Sequence, residues 1–230
     1  MNLSNFTLDG GVYCQKNFNT GEFEQEYFSI RGKEGRILDD DTVKQLPFID
    51  HPEWKIRARS AKKLVKQLKK ENCRSFIEIG CGNGWLTNYI QRELNIPAIG
   101  IDVGRVELKQ AARISNGKAT FVYGDVFSLD LNADATILAA CIQYFPDPCK
   151  VIERLNGIIH IIDSPFYQAN EIAAARQRSK DYFKSKGANM DRFYFHHEFI
   201  KGAEVLYRPN RFKTFLGGSP FPWLRIRKGL

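Results

Sequence analysis

Between residues 74 and 165, short apolar runs alternate with stretches whose apolar residues recur every three to four positions. "SFIEIG" precedes "WLTNYIQRELN", and "PAIGIDV" precedes "GRVELKQAARISNG"; "ATFVYGD", "DATILAACI", "DPCKVIERL" and "NGIIHIID" continue the series. Short apolar runs of this kind read as buried strands, and right-handed crossovers place the intervening helices on the faces of a parallel sheet. The pattern predicts an α/β, doubly wound fold: a mostly parallel seven-stranded sheet with helices on both faces and a final antiparallel strand pair. Upstream, Trp54, Ala58, Ala61, Val65 and Leu68 recur at spacings of four and three, the mark of one buried helical stripe. Asp50 and Glu53 resemble a capping box, with Pro52 in the first turn.

The flanks are read from the same patterning. Residues 1–50 are polar and weakly periodic, which predicts an N-terminal extension or lid packed over the main domain at 51–230, whose core motifs span 75–165. Residues 168–187 form an Ala-rich, basic helical insertion closed by Gly187. "RFYFHHEF" and "GAEVLYRPN" are expected to be the antiparallel strands, followed by a Gly/Pro-punctuated tail, within 190–230.

Composition narrows the classes. With 43% hydrophobic and 26% charged residues, the 230-residue chain has the make-up of a globular domain with a substantial core. The N-terminus lacks a basic and apolar leader, and no apolar run approaches a membrane span, so a cytoplasmic protein is expected. Cys14, Cys73, Cys81, Cys141 and Cys149 are scattered without metal or redox spacing, which predicts reduced thiols and no metal site. The net charge of +8 favours nucleic acid, an anionic surface or phosphorylated substrates, or is simply solvated surface. The other face of the helix in "DHPEWKIRARSAKKLVKQLKK" carries Lys55, Arg57, Arg59, Lys62, Lys63, Lys66, Lys69 and Lys70, and reads as a solvated face or an anion-binding surface.

The sharpest feature is "FIEIGCGNGW", where Gly80, Gly82 and Gly84 follow a strand and precede a helix. In an open parallel sheet that first βα turn is the prime ligand site, with bare backbone and a helix N-terminus facing it. A dinucleotide turn reads G-x-G-x-x-G. Here Trp85 stands where the last glycine belongs, and Glu78 would oppose a pyrophosphate. A cationic ligand without phosphates suits the carboxylate better.

"EIGCGNG" resembles the E/D-x-G-x-G-x-G motif of class I S-adenosylmethionine-dependent methyltransferases, and three later positions agree. The resemblance implies S-adenosyl-L-methionine as cofactor, S-adenosyl-L-homocysteine as product, and a cofactor site at Glu78, Gly80, Cys81, Gly82 and Gly84. Asp102 and Val103, ending "IGIDV", would take the ribose hydroxyls; Asp125 and Val126, in "VYGDV", the adenine. Cys141, in "LAACIQYFPDP", would stand at the methyl-donor end, with Gln143 and Tyr144 lining the pocket. "QYFPDP" lacks the D/N-P-P-Y/F arrangement of nucleobase amino-methyltransferases.

For an acceptor that must lose a proton, the base candidates are His51, His160, His196, His197 and Asp163. His160, inside "IIHIID", reads as a core histidine, while Asp163 is either a pocket-rim acid or a helix cap. Asp163, His197 and Tyr144 are the catalytic candidates. Tyr27, Phe28, Arg31 and Lys33 are lid candidates, Tyr27 and Arg31 on the substrate side, although "FEQEYFSI" can equally be plain cover. The expected function is methyl transfer to a small or medium-sized metabolite; the alternatives are an RNA (tRNA or rRNA) methyltransferase and a non-catalytic cofactor-binding regulator.

Overall fold

The computed structural model describes residues 3–210 and 218–229; residues 1–2, 211–217 and 230, including part of the predicted tail, lie outside the described residues. Five parallel strands form the centre: β3 (Phe76–Ile79), β4 (Ala98–Asp102), β5 (Thr120–Tyr123), β6 (Ala135–Ala139) and β7 (Gly157–Ile162). Around them lie β1 (Phe6–Asp9), β2 (Val12–Gln15), β8 (Glu204–Tyr207) and β9 (Trp223–Lys228), in the order β1-β2-β5-β4-β3-β6-β7-β9-β8. The central strands are apolar on both faces because helices cover both, as the continuous burial of β3 shows.

The sheet has nine described strands, two more than expected, because the first residues of the chain join it. Gly10 and Gly11, at φ +59° and +81°, turn β1 back on β2, and β2 runs parallel to β5 with Val12 and Cys14 inward. Four-residue strands are too short to stand out in a polar, Gly-rich segment. The C-terminal antiparallel pair also falls elsewhere than predicted. Residues 190–193 form a 3₁₀ turn, and the following stretch makes only the bridge Tyr167↔Glu198 among the described residues. Phe193 and Tyr194 pack instead with Ile30, Phe183 and Met190. β8 is the second predicted strand, and its partner is β9, "WLRIRK", which also pairs with β7.

The helices are α1 (Glu22–Lys33), α2 (Asp40–Gln45), α3 (Pro52–Lys70), α4 (Trp85–Leu94), α5 (Arg105–Ser115), α6 (Pro148–Arg154) and α7 (Ile172–Ser185). α3 buries Ala58, Ala61, Leu64, Val65 and Leu68, and packs with Phe76, Leu86 and Ile90. Its N-cap is His51 and not Asp50, and there is no side-chain cap: Asp50 pairs with Lys55, and Glu53 is taken by Arg36 and Arg57. α7 ends before Gly187, whose φ of +59° suits the exit. Among the described residues no helix is long and apolar enough to cross a membrane.

His160 is a satisfied core histidine. Trp223 Nε1 donates to its Nδ1 at 3.1 Å, so the ring proton sits on Nε2 and is donated to Glu71 at 2.8 Å. Gln67 and Arg225 donate to the other Glu71 oxygen at 2.8 and 2.7 Å. This network fastens β9 to β7 and to the end of α3. Burial raises the Glu71 carboxyl, but the bonds from His160, Gln67 and Arg225 outweigh it and bring it from 4.5 to about 2. A carboxyl depressed in the folded state stabilises above its unfolded pKa, and that contribution disappears as pH falls through the folded value. Denaturant unfolding should therefore lose about 1–3 kcal/mol between pH 5 and pH 2, the lower figure allowing for solvent screening. Glu71→Gln should flatten that part of the profile; an unchanged slope would remove the network from the account.

Candidate active site

The site is built where β3 and β4 end side by side. Gly80 N–H and Cys81 N–H both donate to Ile101 O, at 2.8 and 3.2 Å, which ties the glycine turn to β4. Gly80, Gly82 and Gly84 lie at φ +72°, +51° and +70°, a left-handed region that L side chains disfavour. Their surroundings differ. A Cβ at Gly80 would lie 2.5 Å from the Cys141 Cβ, and one at Gly84 would lie 2.6 Å from the Ala111 Cβ and 2.9 Å from the Phe121 ring. What approaches the backbone at these two positions is the protein's own packing. At Gly82 the nearest atom is Glu107 Oε2, at 3.3 Å. Gly82 is thus the member of the triplet whose neighbour is the far end of a flexible side chain and not packed core.

Asp102 organises the turn. One oxygen accepts from Gly82 N–H and the other from Val103 N–H and Gly104 N–H, each at 2.7 Å. Burial raises its carboxyl, with these three amides acting against burial. Glu78, expected to present a negative charge to the cleft, is 2% exposed and accepts from the Thr87 hydroxyl on α4. Burial pushes it up to about 8, so at neutral pH it is mostly an uncharged acid holding α4 to β3. Cys81 and Cys141 are buried, and the Cys141 thiol donates to Ile79 O; burial pushes both thiols well up, which suits packing and not nucleophilic work.

After β5, Asp125 closes its own turn by accepting from Phe127 N–H at 3.0 Å, and Val126 is in the core. The Asp125 N–H donates to Gln15 Oε1 at 2.9 Å, so the end of β2 lies over this turn. After β6, Ala140 is left-handed at φ +54°, and a 3₁₀ turn at Ile142–Tyr144 follows. Gln143 Nε2 donates to Ala140 O at 2.7 Å, while its Oε1 is buried without a partner.

α1 crosses this end of the sheet. Thr20 bonds Val103 O, and Glu24 accepts from Arg105 N–H at 2.7 Å. Phe23 and Tyr27 meet Tyr144 edge-on at 5.9 and 5.7 Å, and Tyr194 meets it at 5.8 Å. Arg31 lies over the Tyr27 ring, with its guanidinium 5.5 Å from the centroid and its Nε buried and unpartnered. Tyr27, Arg31, Gln143 and Tyr144 are therefore brought into one largely buried cluster, with Glu107 and Asp102 close to Tyr27. Lys33 is not: it donates to Gly187 O and holds α1 to the end of α7.

The catalytic candidates do not all converge. His197 lies against the Ile142–Phe145 turn, whose backbone at those two residues acts to raise its pKa, with Nε2 buried and unpartnered. Burial lowers its pKa, leaving a neutral ring with an open nitrogen. His196 is bonded to Ser179 and packs on Tyr167 and Tyr194. Asp163 accepts from Ser60 and Ser219, at 3.0 and 3.5 Å, in a separate small cleft with Lys63 and Trp223. Neither Tyr144 nor His197 lines that cleft.

Sequence reasoning missed Glu107, Phe23 and Tyr194. Glu107 sits in the first turn of α5, where an acid reads as ordinary helix-dipole compensation. Burial and the neighbouring Asp102 push it up to about 7. Three buried atoms around the cleft lack partners: Arg31 Nε, a donor, and Gln143 Oε1 and Glu107 Oε2, acceptors. Buried polar groups are normally satisfied. A ligand carrying a carboxylate together with ammonium or hydroxyl donors supplies all three, and S-adenosylmethionine carries each of these groups, so the residues fit that cofactor.

Residues 76–159 match the model of a family described as a methyltransferase domain. Among solved structures, a Galdieria sulphuraria protein described as a "putative sarcosine dimethylglycine methyltransferase" is 16% identical with a TM-score of 0.53, over 71% of this chain and 67% of that one. The YcgJ protein of Bacillus subtilis is 13% identical with a TM-score of 0.52, over 71% and 79%. The plantazolicin methyltransferase BpumL, solved with S-adenosylhomocysteine (SAH) and a monoazolic desmethylPZN analog, is 20% identical with a TM-score of 0.49, over 71% and 65%. The chain spans between 47% and 65% of the length of the first solved structures that it matches.

Proposed function

We infer that the chain, whose residues 76–159 match the model of a methyltransferase domain, is a class I S-adenosylmethionine-dependent enzyme transferring the cofactor's methyl group to a small or medium-sized acceptor held beneath α1. The observation that carries this reading is the set of unpartnered atoms at Arg31, Gln143 and Glu107 around the Gly82 turn.

When bound, the cofactor supplies an already activated methyl group, so the protein's work is mainly to hold the acceptor in line with it. Arg31 would donate to the cofactor's carboxylate and Gln143 Oε1 would accept from its ammonium. The packed Tyr27 and Tyr144 rings would exclude water and favour a positively charged group beside them. Asp102 fixes the Gly82 amide and the β4–α5 turn in one arrangement before the ligand arrives. For a hydroxyl or ammonium acceptor, His197 Nε2 takes the proton, since the ring is neutral and that nitrogen has no partner. The aromatic residues Phe23, Tyr144 and Tyr194 crowd the acceptor side, which suits a compact metabolite, the size of acceptor for which the Galdieria protein is named.

Incubation of the full chain with methyl-labelled S-adenosylmethionine and fractionated cell extract tests the reading. Label is expected in the small-molecule fraction. Label in tRNA or rRNA would replace the acceptor class, and no turnover with any fraction, despite cofactor binding, would make the protein a regulator.

A further inference from the structure

Two carboxyl groups converge where β4 runs into α5. From the point at which a side chain on Gly104 would begin, Asp102 Oδ1 is 3.2 Å away and Glu107 Oε2 is 3.7 Å away. Glu107 Oε2 is also 3.3 Å from the equivalent point on Gly82, so it stands against the one glycine of the triplet that meets no packed core. A carboxylate has about four acceptor sites. Three Asp102 sites are taken by the amides of Gly82, Val103 and Gly104, which leaves about one for a ligand. Glu107 Oε2 is shut off from solvent and has no partner, and among the described residues Glu107 forms no ion pair.

A sealed acceptor without a donor is costly, so the geometry implies a ligand that brings one. The charged and titratable groups facing Glu107 are Asp102 from β4, Arg31 and Tyr27 from α1, and Cys81 from the glycine turn. Arg31 offsets part of the charge of the two carboxyls, and neutral hydroxyl donors satisfy both acids without bringing a further ion into a buried place. Phe28, 3.8 Å from the Gly104 Cβ point, supplies an apolar wall, and a cavity of about 210 Å³ lined by Phe28, Leu38, Val106 and Glu107 opens beyond it.

We propose that Glu107 is a second ribose-binding carboxylate: Asp102 accepts one of the cofactor's vicinal hydroxyls and Glu107 accepts the other. This rests on the S-adenosylmethionine reading above. It extends the ribose site beyond the strand-end acid to a residue in the first turn of α5. Because Glu107 is held near the middle of the physiological range, its share of the grip strengthens as it ionises.

Calorimetric titration of the full chain with SAH and with its 2′-deoxy and 3′-deoxy analogues tests this. The wild type should prefer the ribose form to each deoxy analogue by roughly 10- to 100-fold. Glu107→Gln, which keeps only a neutral carbonyl acceptor, should bind SAH roughly 10-fold more weakly and show a smaller preference for one hydroxyl while keeping the other in full. A Glu107→Gln protein that matches the wild type in affinity and in both preferences overturns the assignment and leaves the cofactor reading standing. A wild type that binds none of these compounds removes the cofactor reading itself. If the variant does not fold, the wild-type titration repeated from pH 6 to pH 8 decides: the preference for one hydroxyl should grow across that range, and a flat preference rejects the role.

Discussion

Gly84→Ala should cost the folded protein about 2–5 kcal/mol, and Gly84→Val at least as much, whereas Gly82→Ala should cost only about 1–2 kcal/mol. Both positions are left-handed, so each substitution incurs the conformational penalty of about 1–2 kcal/mol for a non-glycine residue. They differ in what a new Cβ meets. At Gly84 it would overlap the Ala111 methyl at 2.6 Å and the Phe121 ring at 2.9 Å, both anchored in the α5–β5 core, which adds an overpacking cost of about 1–3 kcal/mol. At Gly82 it meets the far end of the Glu107 side chain, which can swing away. Since folded domains are stable by only about 5–15 kcal/mol, the Gly84 variants should show a large fall in denaturation midpoint. Equal losses at the two positions would mean that packing shapes the whole turn and that Gly82 has no special place in it.

Asp102→Ala should lower S-adenosylmethionine affinity by at least 100-fold, the largest effect on binding expected of any single substitution at the site. The side chain both offers an acceptor to the ligand and pins the amides of Gly82, Val103 and Gly104. Removing it unties the glycine turn from the β4–α5 turn, so stability should fall by about 1–3 kcal/mol as well. Asp102→Asn, which keeps one carbonyl acceptor, should fall between the wild type and Asp102→Ala in both measurements. Affinity that survives in the alanine variant would place the cofactor elsewhere.

The central sheet was readable because β3 to β7 are continuous apolar runs, and α3 because its stripe repeats at helical spacing. β1 and β2 were hidden in a polar segment where only Val12 and Cys14 are fully buried. β9 was hidden because Arg225 and Arg227 alternate with Leu224 and Ile226 inside a stretch punctuated by Gly and Pro. At the site, spacing located the glycine turn and Asp102 but not the division of labour within them. That Gly80 and Gly84 answer to Cys141 and Ala111 depends on contacts between distant parts of the chain, and that Glu78 answers to Thr87 depends on how α4 packs back on β3. Glu107 shows the same limit: its position in sequence is that of any helix-start acid, and only the approach of α5 to the glycine turn gives it meaning.

The most direct test of the account is equilibrium binding of methyl-labelled S-adenosylmethionine to the full chain, with unlabelled SAH and NADH as competitors. Saturable one-site uptake in the micromolar range, displaced by SAH, untouched by NADH and abolished in Asp102→Ala, is the predicted result. Absence of saturable uptake at millimolar ligand, or displacement by NADH in place of SAH, would contradict it.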